Sequence, residues 1–313
     1  MYDRAVSAPG KLFLCGEYAV LEKAPAVLTS VDRRVVARPL RANIPQSRLI
    51  TDVKEAVGRF LCARSGAPVG QLPNIDIDSR GFSLDRMKLG IGSSAAVSAA
   101  VTGALFEWAG VSIDDTRDDI LQVASSAHRT YQQGKGSGAD VAVSVMGGTL
   151  LFQADGAPVA LPPPIGSWVF LWTGQPASTV SLVGEVHALR AADGASFQRV
   201  MEPLVVLSRE LASAFSLRDL TAIIELTSAY GDAMDRLGRA AGVSIRTEAM
   251  EWLQAQAKDC GGASKPSGAG GGDVALAVFP DADRANTFRE RCRQRDVMAL
   301  DFTTHVDGLS LTM

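Results

Sequence analysis

A run of small residues between a charged approach and an Ala/Val-rich stretch is the most constraining feature of the chain. Residues 88–96 read KLGIGSSAA, and small residues continue to position 100. Glycines let the backbone approach a ligand closely and adopt positive φ, and the two serines offer hydroxyl groups. A helix N-terminus adds unpaired N–H groups and a partial positive charge. The run therefore predicts an anion-binding loop that opens a helix, with a glycine-rich turn before a buried helix as the alternative.

Two further glycine-rich runs lie near the two ends of the chain. Residues 8–21 read APGKLFLCGEYAVL, and residues 261–273 read GGASKPSGAGGGD. In chain order, the runs at 8–21, 88–96 and 261–273 resemble the first, second and third signature motifs of the GHMP kinases. This superfamily comprises galactokinase, homoserine kinase, mevalonate kinase and phosphomevalonate kinase. The resemblance extends over nearly the whole chain, with Ile91 where the family usually carries leucine.

The resemblance implies an α+β protein with the two-lobed GHMP kinase fold. An N-terminal α/β lobe of ribosomal-protein-S5-like type is expected to bind ATP over residues 1–160. A C-terminal ferredoxin-like α+β lobe is expected over residues 165–313, with the active site between the lobes. Three consecutive prolines at 162–164 mark the predicted boundary.

Length and charge agree with an enzyme that acts on a small molecule. The 313 residues, 47% hydrophobic and 21% charged, are enough for two domains that share a cleft. A net charge of −3 gives no global field that would attract nucleic acid or an anionic membrane. An anionic substrate must therefore meet local positive groups.

The cysteines and the uncharged stretches of the sequence indicate the cellular compartment in which the protein is expected. Cys15, Cys62, Cys260 and Cys292 lie far apart without zinc-ligand spacing, and the first residues lack the apolar core of a signal peptide. The long uncharged stretches are rich in small residues or interrupted by proline, so we expect no transmembrane span. The prediction is a cytoplasmic, reduced protein, monomeric or homodimeric, without nucleic-acid or membrane partners.

Hydrophobic periodicity predicts alternating strands and helices. Strands are expected at 11–14, 35–38, 74–78, 168–173, 274–279 and 309–312. Residues 141–152 are expected to be extended and apolar, with a break at Gly147 and Gly148. Helices are expected at 50–64, 94–108, 113–132, 178–190, 196–215, 217–237, 244–259 and 282–295.

One segment points to the substrate within the family. Residues 127–142 read AHRTYQQGKGSGADVA and resemble the corresponding region of phosphomevalonate kinases. Mevalonate kinases carry a magnesium-binding glutamate where this chain has Arg129. Residues 172–179, WTGQPAST, also resemble the phosphomevalonate kinase substrate loop.

The implied function is ATP-dependent phosphorylation of 5-phosphomevalonate to 5-diphosphomevalonate, in the mevalonate route to isoprenoids. A mevalonate kinase, another GHMP small-molecule kinase and a GHMP-fold ligand sensor without turnover remain alternatives. No Gly-x-x-x-x-Gly-Lys-Ser/Thr sequence is present, so a P-loop nucleotide site is excluded.

Phosphoryl transfer depends mainly on positioning and on neutralising charge, which suggests roles for named residues. Lys11 and Asp140 are the predicted catalytic pair. Because a phosphomonoester is already ionised near neutral pH, Asp140 is either a general base or a carboxylate that orients Lys11. Lys11, Lys135 and Arg129 are the cations expected to meet the acceptor's phosphate.

The predicted binding residues fall into two groups, one for the nucleotide with Mg²⁺ and one for the substrate. ATP and Mg²⁺ are assigned to Lys88, Gly90, Gly92, Ser93, Ser94 and Ala95, with Ser94 as the magnesium ligand. Glu17 is either a further metal ligand or a partner of Lys11. Substrate binding is assigned to Lys11, Glu17, Tyr18, His128, Lys135, Ser137, Gly138, Ser178, Thr179, Ser267, Gly268, Ala269 and Gly270. A helix-capping role is the alternative for Ser178, Asp273 is expected to brace the third motif, and Lys265 is expected either to face the site or to point outward.

Overall fold

A computed structural model describes residues 4–42, 44–68, 70–84, 87–134, 136–295 and 297–312. Its strands are β1 (Ala5–Cys15), β2 (Ala26–Leu40), β3 (Asn74–Asp78), β4 (Ser83–Leu84), β5 (Met87–Lys88), β6 (Thr149–Phe152), β7 (Val159–Leu161), β8 (Ser167–Trp172), β9 (Ala263–Pro266), β10 (Val274–Phe279), β11 (Met298–Leu300) and β12 (Ser310–Thr312). Its helices are α1 (Arg48–Ser65), α2 (Ser93–Trp108), α3 (Arg117–Tyr131), α4 (Ala139–Met146), α5 (Thr179–Ala192), α6 (Gly194–Leu217), α7 (Leu220–Ala240), α8 (Glu248–Asp259) and α9 (Ala282–Arg293). Short 3-10 turns lie at Ala19–Glu22 and Arg80–Phe82.

The first lobe is built on an antiparallel sheet with helices against it. Within the described residues the strand order is β12-β1-β2-β6-β7, and β3 also pairs with β2. Every residue of β1 is buried, because α2 and α4 pack on it. Helix α2 is apolar on nearly all sides and lies in the middle of the lobe, as expected for a helix surrounded by protein. The second motif is thus anchored at the start of a buried helix.

The second lobe has a sheet with helices on both faces. The strand order is β11-β8-β10-β9 among the described residues, all antiparallel. Val169, Leu171 and Phe279 face α8 and α9, whereas Phe170 and Leu276 join the main core beneath α6 and α7. This alternation follows from the two-residue period of a strand. The sheet carries the third motif on β9 and on the turn from β9 into β10.

The two-lobed α+β architecture predicted from the sequence is confirmed by these elements. The division at residues 160 and 165 stays a prediction. The chain does not end in the second sheet, since β12 returns and pairs with β1, with Val6 opposite Leu311. Within the described residues, no helix is long and apolar enough to cross a membrane.

One predicted segment is wrong in its secondary structure. Residues 141–152 were expected to be extended, but the first part belongs to helix α4 and only β6 is a strand. Val141, Val143 and Val145 alternate as they would in a strand, and all three are nevertheless buried because core residues surround the short helix. Gly138 and Gly147, both at positive φ, bound the helix. Tertiary packing therefore overrides the local β preference of these valines.

Other differences from the predicted elements are smaller. The predicted strand at 35–38 is the end of the much longer β2, and α3 begins at Arg117 rather than at residue 113. Helix α8 begins after Thr247, whose hydroxyl accepts a hydrogen bond from the Met250 N–H. Strands β7, β9 and β11 are too short to give a periodic signal in the sequence.

Candidate active site

The three motifs meet at one open cleft between the lobes, with about 930 Å³ of free space. Of the predicted site residues, those that line the cleft are Lys11, Glu17, Tyr18, Gly90, His128, Ser137, Gly138, Asp140, Thr179, Ser267, Gly268, Ala269 and Gly270. Lys88, Gly92, Ser93, Ser94, Ala95 and Ser178 lie outside this lining, and Lys135 lies outside the described residues. Among these predicted residues, the structure therefore brings together positions up to 259 residues apart in the chain, from Lys11 to Gly270.

Lys11 is held on β1 against the second motif. Its backbone N–H donates to the Ile91 carbonyl at 2.9 Å. Its aliphatic stem crosses Gly92, where a Cβ would lie 2.8 Å from Lys11 Cγ and force the lysine away. The Lys11 Nζ lies 3.5 Å from Asp140 Oδ2 and 4.8 Å from the centre of the Phe13 ring. The ammonium group is thus fixed between the start of α2 and the Asp140 carboxylate.

The Lys11 and Asp140 side chains differ in exposure. The lysine side chain is 7% exposed, whereas that of Asp140 is 29% exposed and opens to the cleft. Asp140 lies in the first turn of α4, where a carboxylate is favoured by the partial positive charge of the helix N-terminus. Both residues line the cleft, and the carboxylate is the more open member of the pair.

The second motif presents an open helix N-terminus. Gly92 occupies the N-cap of α2 in a left-handed conformation, and among the described residues no side chain caps the first N–H groups. These groups are free to bind an anion, as at other phosphate-binding helix starts. Lys88 is exposed at the end of β5, and Ala95 is buried in the first turn of α2, so it packs rather than contacts a ligand with its side chain.

Ser94 and His128 are hydrogen-bonded to each other beside the cleft. Ser94 Oγ lies 3.0 Å from His128 Nε2, and the imidazole is buried. Burial lowers the pKa of His128 below its ordinary value, Asp140 acts in the raising direction and Lys11 in the lowering one. A neutral imidazole with its proton on Nδ1 can accept a hydrogen bond from the Ser94 hydroxyl at Nε2. The serine oxygen then keeps its lone pairs for a ligand.

Two residues that were predicted to contact the substrate do not line the cleft. Arg129 is exposed on α3 and is not among the residues that line the cleft, because successive helix positions point about 100° apart and His128 takes the inward one. Ser178 caps α5 by accepting a hydrogen bond from the Ser181 N–H at 3.3 Å, which is the capping alternative. The neighbouring Thr179 does line the cleft.

The first motif is joined to the third by buried polar contacts. Glu17 forms an ion pair with Lys265 rather than with Lys11, and both side chains are completely buried. Tyr18 donates to the Ala269 carbonyl at 2.6 Å, and burial raises its pKa so that it remains a donor. Ser267 donates to the Phe13 carbonyl at 3.0 Å. Lys265 therefore points into the protein, and Glu17 has no exposed oxygen for a metal ion.

Apolar residues of the cleft wall were not anticipated from the sequence. Val20 and Leu21 come from the 3-10 turn that ends the first motif, and Val180 and Val183 from the first turns of α5. The spacing of Val180 and Val183 by three positions, directly after a capping serine, was the available signal that one face of α5 is apolar there. These residues give one side of the cleft an apolar surface suited to a carbon skeleton.

Comparisons with known proteins agree with this geometry. Residues 53–148 match the family GHMP kinases N terminal domain, and residues 211–296 match GHMP kinases C terminal. The chain is 31% identical to a phosphomevalonate kinase from Streptomyces sp. (strain CL190), over 96% of this chain and 97% of that protein. It is 29% identical to a mevalonate kinase from Archaeoglobus fulgidus, over 87% of this chain and 91% of that protein.

A solved structure supports the fold at lower identity. The Streptococcus pneumoniae phosphomevalonate kinase in complex with phosphomevalonate and AMPPNP superposes with a TM-score of 0.80 at 20% identity, covering 96% of this chain and 99% of that one. Fold, motifs and relatives together define a small-molecule kinase. The chain belongs to the GHMP kinases.

Proposed function

We propose that the protein transfers the γ-phosphoryl group of ATP to 5-phosphomevalonate, giving 5-diphosphomevalonate and ADP. This choice of acceptor is based mainly on which residue of α3 faces the cleft. Where mevalonate kinases are expected to place a glutamate, this chain has Arg129, and the inward position is taken by the neutral, buried His128. Because the α3 side chain that lines the cleft is this histidine and not a carboxylate, a phosphate on the acceptor is not repelled there. Identity of 31% to a phosphomevalonate kinase over nearly the whole chain supports the same choice.

The nucleotide phosphates fit at the second motif. The N–H groups at the start of α2 have no side-chain cap among the described residues, and the aliphatic stem of Lys11 lies directly against Gly92 at this helix start. Positive groups fixed before the reaction stabilise the charge that develops on the transferring phosphoryl group. We therefore assign the Lys11 ammonium to the space between the γ-phosphate of ATP and the acceptor's phosphate, where negative charge develops during the transfer.

Asp140 is assigned to hold Lys11 and to face the acceptor. A phosphate monoester has a second pKa of about 6, so the attacking oxygen needs no base at neutral pH. The 3.5 Å contact with Lys11 Nζ instead fixes the direction of the ammonium group. An orienting role explains why the carboxylate is partly exposed while the lysine is enclosed.

Magnesium fits this site through few protein ligands. Mg²⁺ usually binds one or two carboxylates, several waters and the phosphates of the nucleotide. The described residues contain no group of three or more His, Cys, Asp or Glu that could hold a metal, so a nucleotide-borne ion is the form that fits. The Ser94 hydroxyl, which can donate a hydrogen bond to His128 Nε2, and the open carboxylate of Asp140 supply the oxygens that would hold it. When bound, Mg²⁺ neutralises charge on the phosphates.

The acceptor is assigned to the space between α4, α5 and the third motif. The side chains of Ser137 and Thr179 and the backbone of Ala269 and Gly270 supply hydroxyl and N–H groups there. Val180 and Val183 face the carbon skeleton from the other side. A short, branched, anionic acceptor fits such a mixed surface.

The test is turnover with mevalonate and 5-phosphomevalonate side by side. ADP release is measured with the purified protein, ATP and Mg²⁺, and the Lys11→Met variant serves as a control for contaminating kinases. We expect kcat/KM for 5-phosphomevalonate to exceed that for mevalonate by at least a hundredfold. Preference for mevalonate would identify the second candidate, a mevalonate kinase, which the 29% identical relative favours. Binding of both ligands without ADP release would identify a sensor.

A further inference from the structure

Asp273 closes the third motif in an unusual backbone conformation. It follows Gly272 and precedes β10, with a φ of 55°, in the left-handed region. Among residues with a side chain, Asp and Asn tolerate this region best. The residue is half-buried and lines the cleft. Nothing in the proposed transfer uses its carboxylate.

Asp273 binds the whole segment that leads from β8 into α5. The Thr173 N–H and hydroxyl donate to its carbonyl at 2.9 and 3.0 Å, and its own N–H donates to the Gln175 carbonyl at 2.8 Å. Its carboxylate Oδ1 accepts the Ala177 N–H at 3.1 Å. Asp273 therefore holds segment 173–177 by four hydrogen bonds, and Thr179 of the cleft follows this segment closely in the chain.

The same side chain lies against the second motif. A Cβ at Gly90 would be 2.4 Å from Asp273 Cβ and Cγ and 2.5 Å from Oδ2, so the loop can pass only because residue 90 is glycine. Burial raises the pKa of Asp273, whereas the Ala177 N–H, Lys11 and Lys88 lower it. The carboxylate thus contacts the nucleotide loop on one side and the acceptor segment on the other.

We propose that Asp273 is a positioning residue that fixes segment 173–177, and with it Thr179, in register with the nucleotide loop at Gly90. The assignment of the two sides to acceptor and nucleotide rests on the proposed function. A carboxylate beside a phosphate loop repels the nucleotide. We therefore attribute the presence of the Asp273 carboxylate to the hydrogen bond that it accepts from the Ala177 N–H. Loss of the side chain removes the hydrogen bond at Ala177 and loosens the end of the segment that leads into Thr179, while the nucleotide loop stays in place.

Two variants separate the side chain from the backbone conformation. Asp273→Gly accepts a φ of 55° without strain and keeps the backbone hydrogen bonds, but it has no acceptor for Ala177 N–H. Asp273→Asn tolerates the same φ and offers an amide oxygen in place of Oδ1. Asp281→Gly is the matched control, because Asp281 also accepts a backbone N–H, that of Arg284 at 2.9 Å, but it lies beyond the opposite end of β10.

The first measurement is steady-state kinetics with the acceptor that the wild type prefers. We expect Asp273→Gly to raise the acceptor KM at least tenfold, consistent with loss of a hydrogen bond to a charged group, and to change the ATP KM less than threefold. Asp273→Asn should recover most of the acceptor KM, and Asp281→Gly should match the wild type. Equal increases in both KM values, or no recovery with asparagine, would overturn the positioning role.

A second measurement does not depend on the identity of the substrate. Amide hydrogen exchange of residues 173–179 should accelerate in Asp273→Gly, remain near wild type in Asp273→Asn and be unchanged in Asp281→Gly. Unchanged exchange in Asp273→Gly would refute the proposal even if the protein is a phosphomevalonate kinase. Faster exchange in a protein that prefers mevalonate would instead refute the proposed function and leave the role of Asp273 standing.

Discussion

The carboxylate of Glu17 and the ammonium of Lys265 form an ion pair from which solvent is excluded, with both side chains 0% exposed. The two residues are separated by 248 positions in the chain and join the first motif to the third. Lys265 also donates to the Pro266 carbonyl at 2.9 Å, and Tyr230 donates to the Glu17 carbonyl at 2.7 Å. The two motifs that border the cleft are thus connected by a charge pair that cannot exchange with water.

Removal of Lys265 alone should be strongly destabilising. Lys265→Met leaves Glu17 as an uncompensated buried charge, and we expect a loss of about 3–5 kcal/mol in the free energy of unfolding. Adding Glu17→Leu should recover most of this loss, because a buried pair replaced by apolar residues is often neutral. Urea unfolding of the single and double variants measures both effects.

An exposed ion pair supplies the control for this comparison. Asp155 pairs with Lys23 at 2.9 Å, with side chains 72% and 69% exposed. Asp155→Asn should cost at most about 1 kcal/mol, because solvent screens such pairs. A cost for Lys265→Met as small as that for Asp155→Asn would contradict the burial argument, as would strictly additive effects in the double variant.

Ser94→Ala should lower turnover through the nucleotide and Mg²⁺ end of the site. The lost hydroxyl is the one that can donate a hydrogen bond to His128 Nε2, with 3.0 Å between Ser94 Oγ and that nitrogen. We expect kcat/KM for ATP to fall about ten- to a hundredfold, the effect of one hydrogen bond or ligand to a charged group. Acceptor affinity, measured by titration calorimetry, should change little.

Ser98 provides a matched variant one turn further along α2. Its hydroxyl is buried, and its oxygen has no hydrogen-bond partner among the described residues. Ser98→Ala should therefore leave both turnover and stability close to wild type. If Ser94→Ala weakens acceptor binding and leaves ATP kinetics untouched, the assignment of the second motif to the nucleotide is wrong.

Local patterns in the sequence predict the motifs and most helices, because the needed information is contained in a few neighbouring residues. The turn at Gly90 and Gly92 and the helix that starts at Ser93 are examples. The position of Lys11 beside Asp140 was also predicted, but only through resemblance to the family. No spacing rule connects two residues that are 129 positions apart.

What the sequence did not predict depends on tertiary packing. Glu17 was expected to pair with Lys11 or a metal, and its partner Lys265 is brought to it only when β9 is placed beside the first motif. The outward direction of Arg129 follows from how α3 rotates to bury His128. The hydrogen bonds between Asp273 and segment 173–177 likewise join loops whose approach no local pattern encodes.

Lys135 remains the sequence-based candidate for binding the phosphate of the acceptor. It lies outside the described residues, and in the chain it stands between Gln132 and Gly136, both of which line the cleft. Lys135→Met should raise the KM for 5-phosphomevalonate about ten- to a hundredfold, because a charge-assisted hydrogen bond to phosphate contributes roughly 1.5–3 kcal/mol. The ATP KM should barely move. An effect on ATP alone would assign Lys135 to the nucleotide and favour a mevalonate kinase.

The role of Asp140 can be separated from general base catalysis by a single isosteric change. Asp140→Asn keeps the size of the side chain and removes the charge that lies 3.5 Å from Lys11 Nζ. General base catalysis typically contributes about 10²–10⁴-fold, and an orienting carboxylate should give a loss near the lower end, about a hundredfold in kcat.

Asp118→Asn is the matched control, since Asp118 is also in the first turn of a helix but is exposed on α3, outside the cleft. Steady-state kcat of both variants, with circular dichroism to verify folding, makes the measurement. A loss of 10⁴-fold or more in folded Asp140→Asn would mean that the carboxylate takes a proton from the acceptor, which points to an alcohol such as mevalonate rather than a phosphate. Full activity would remove Asp140 from the site altogether.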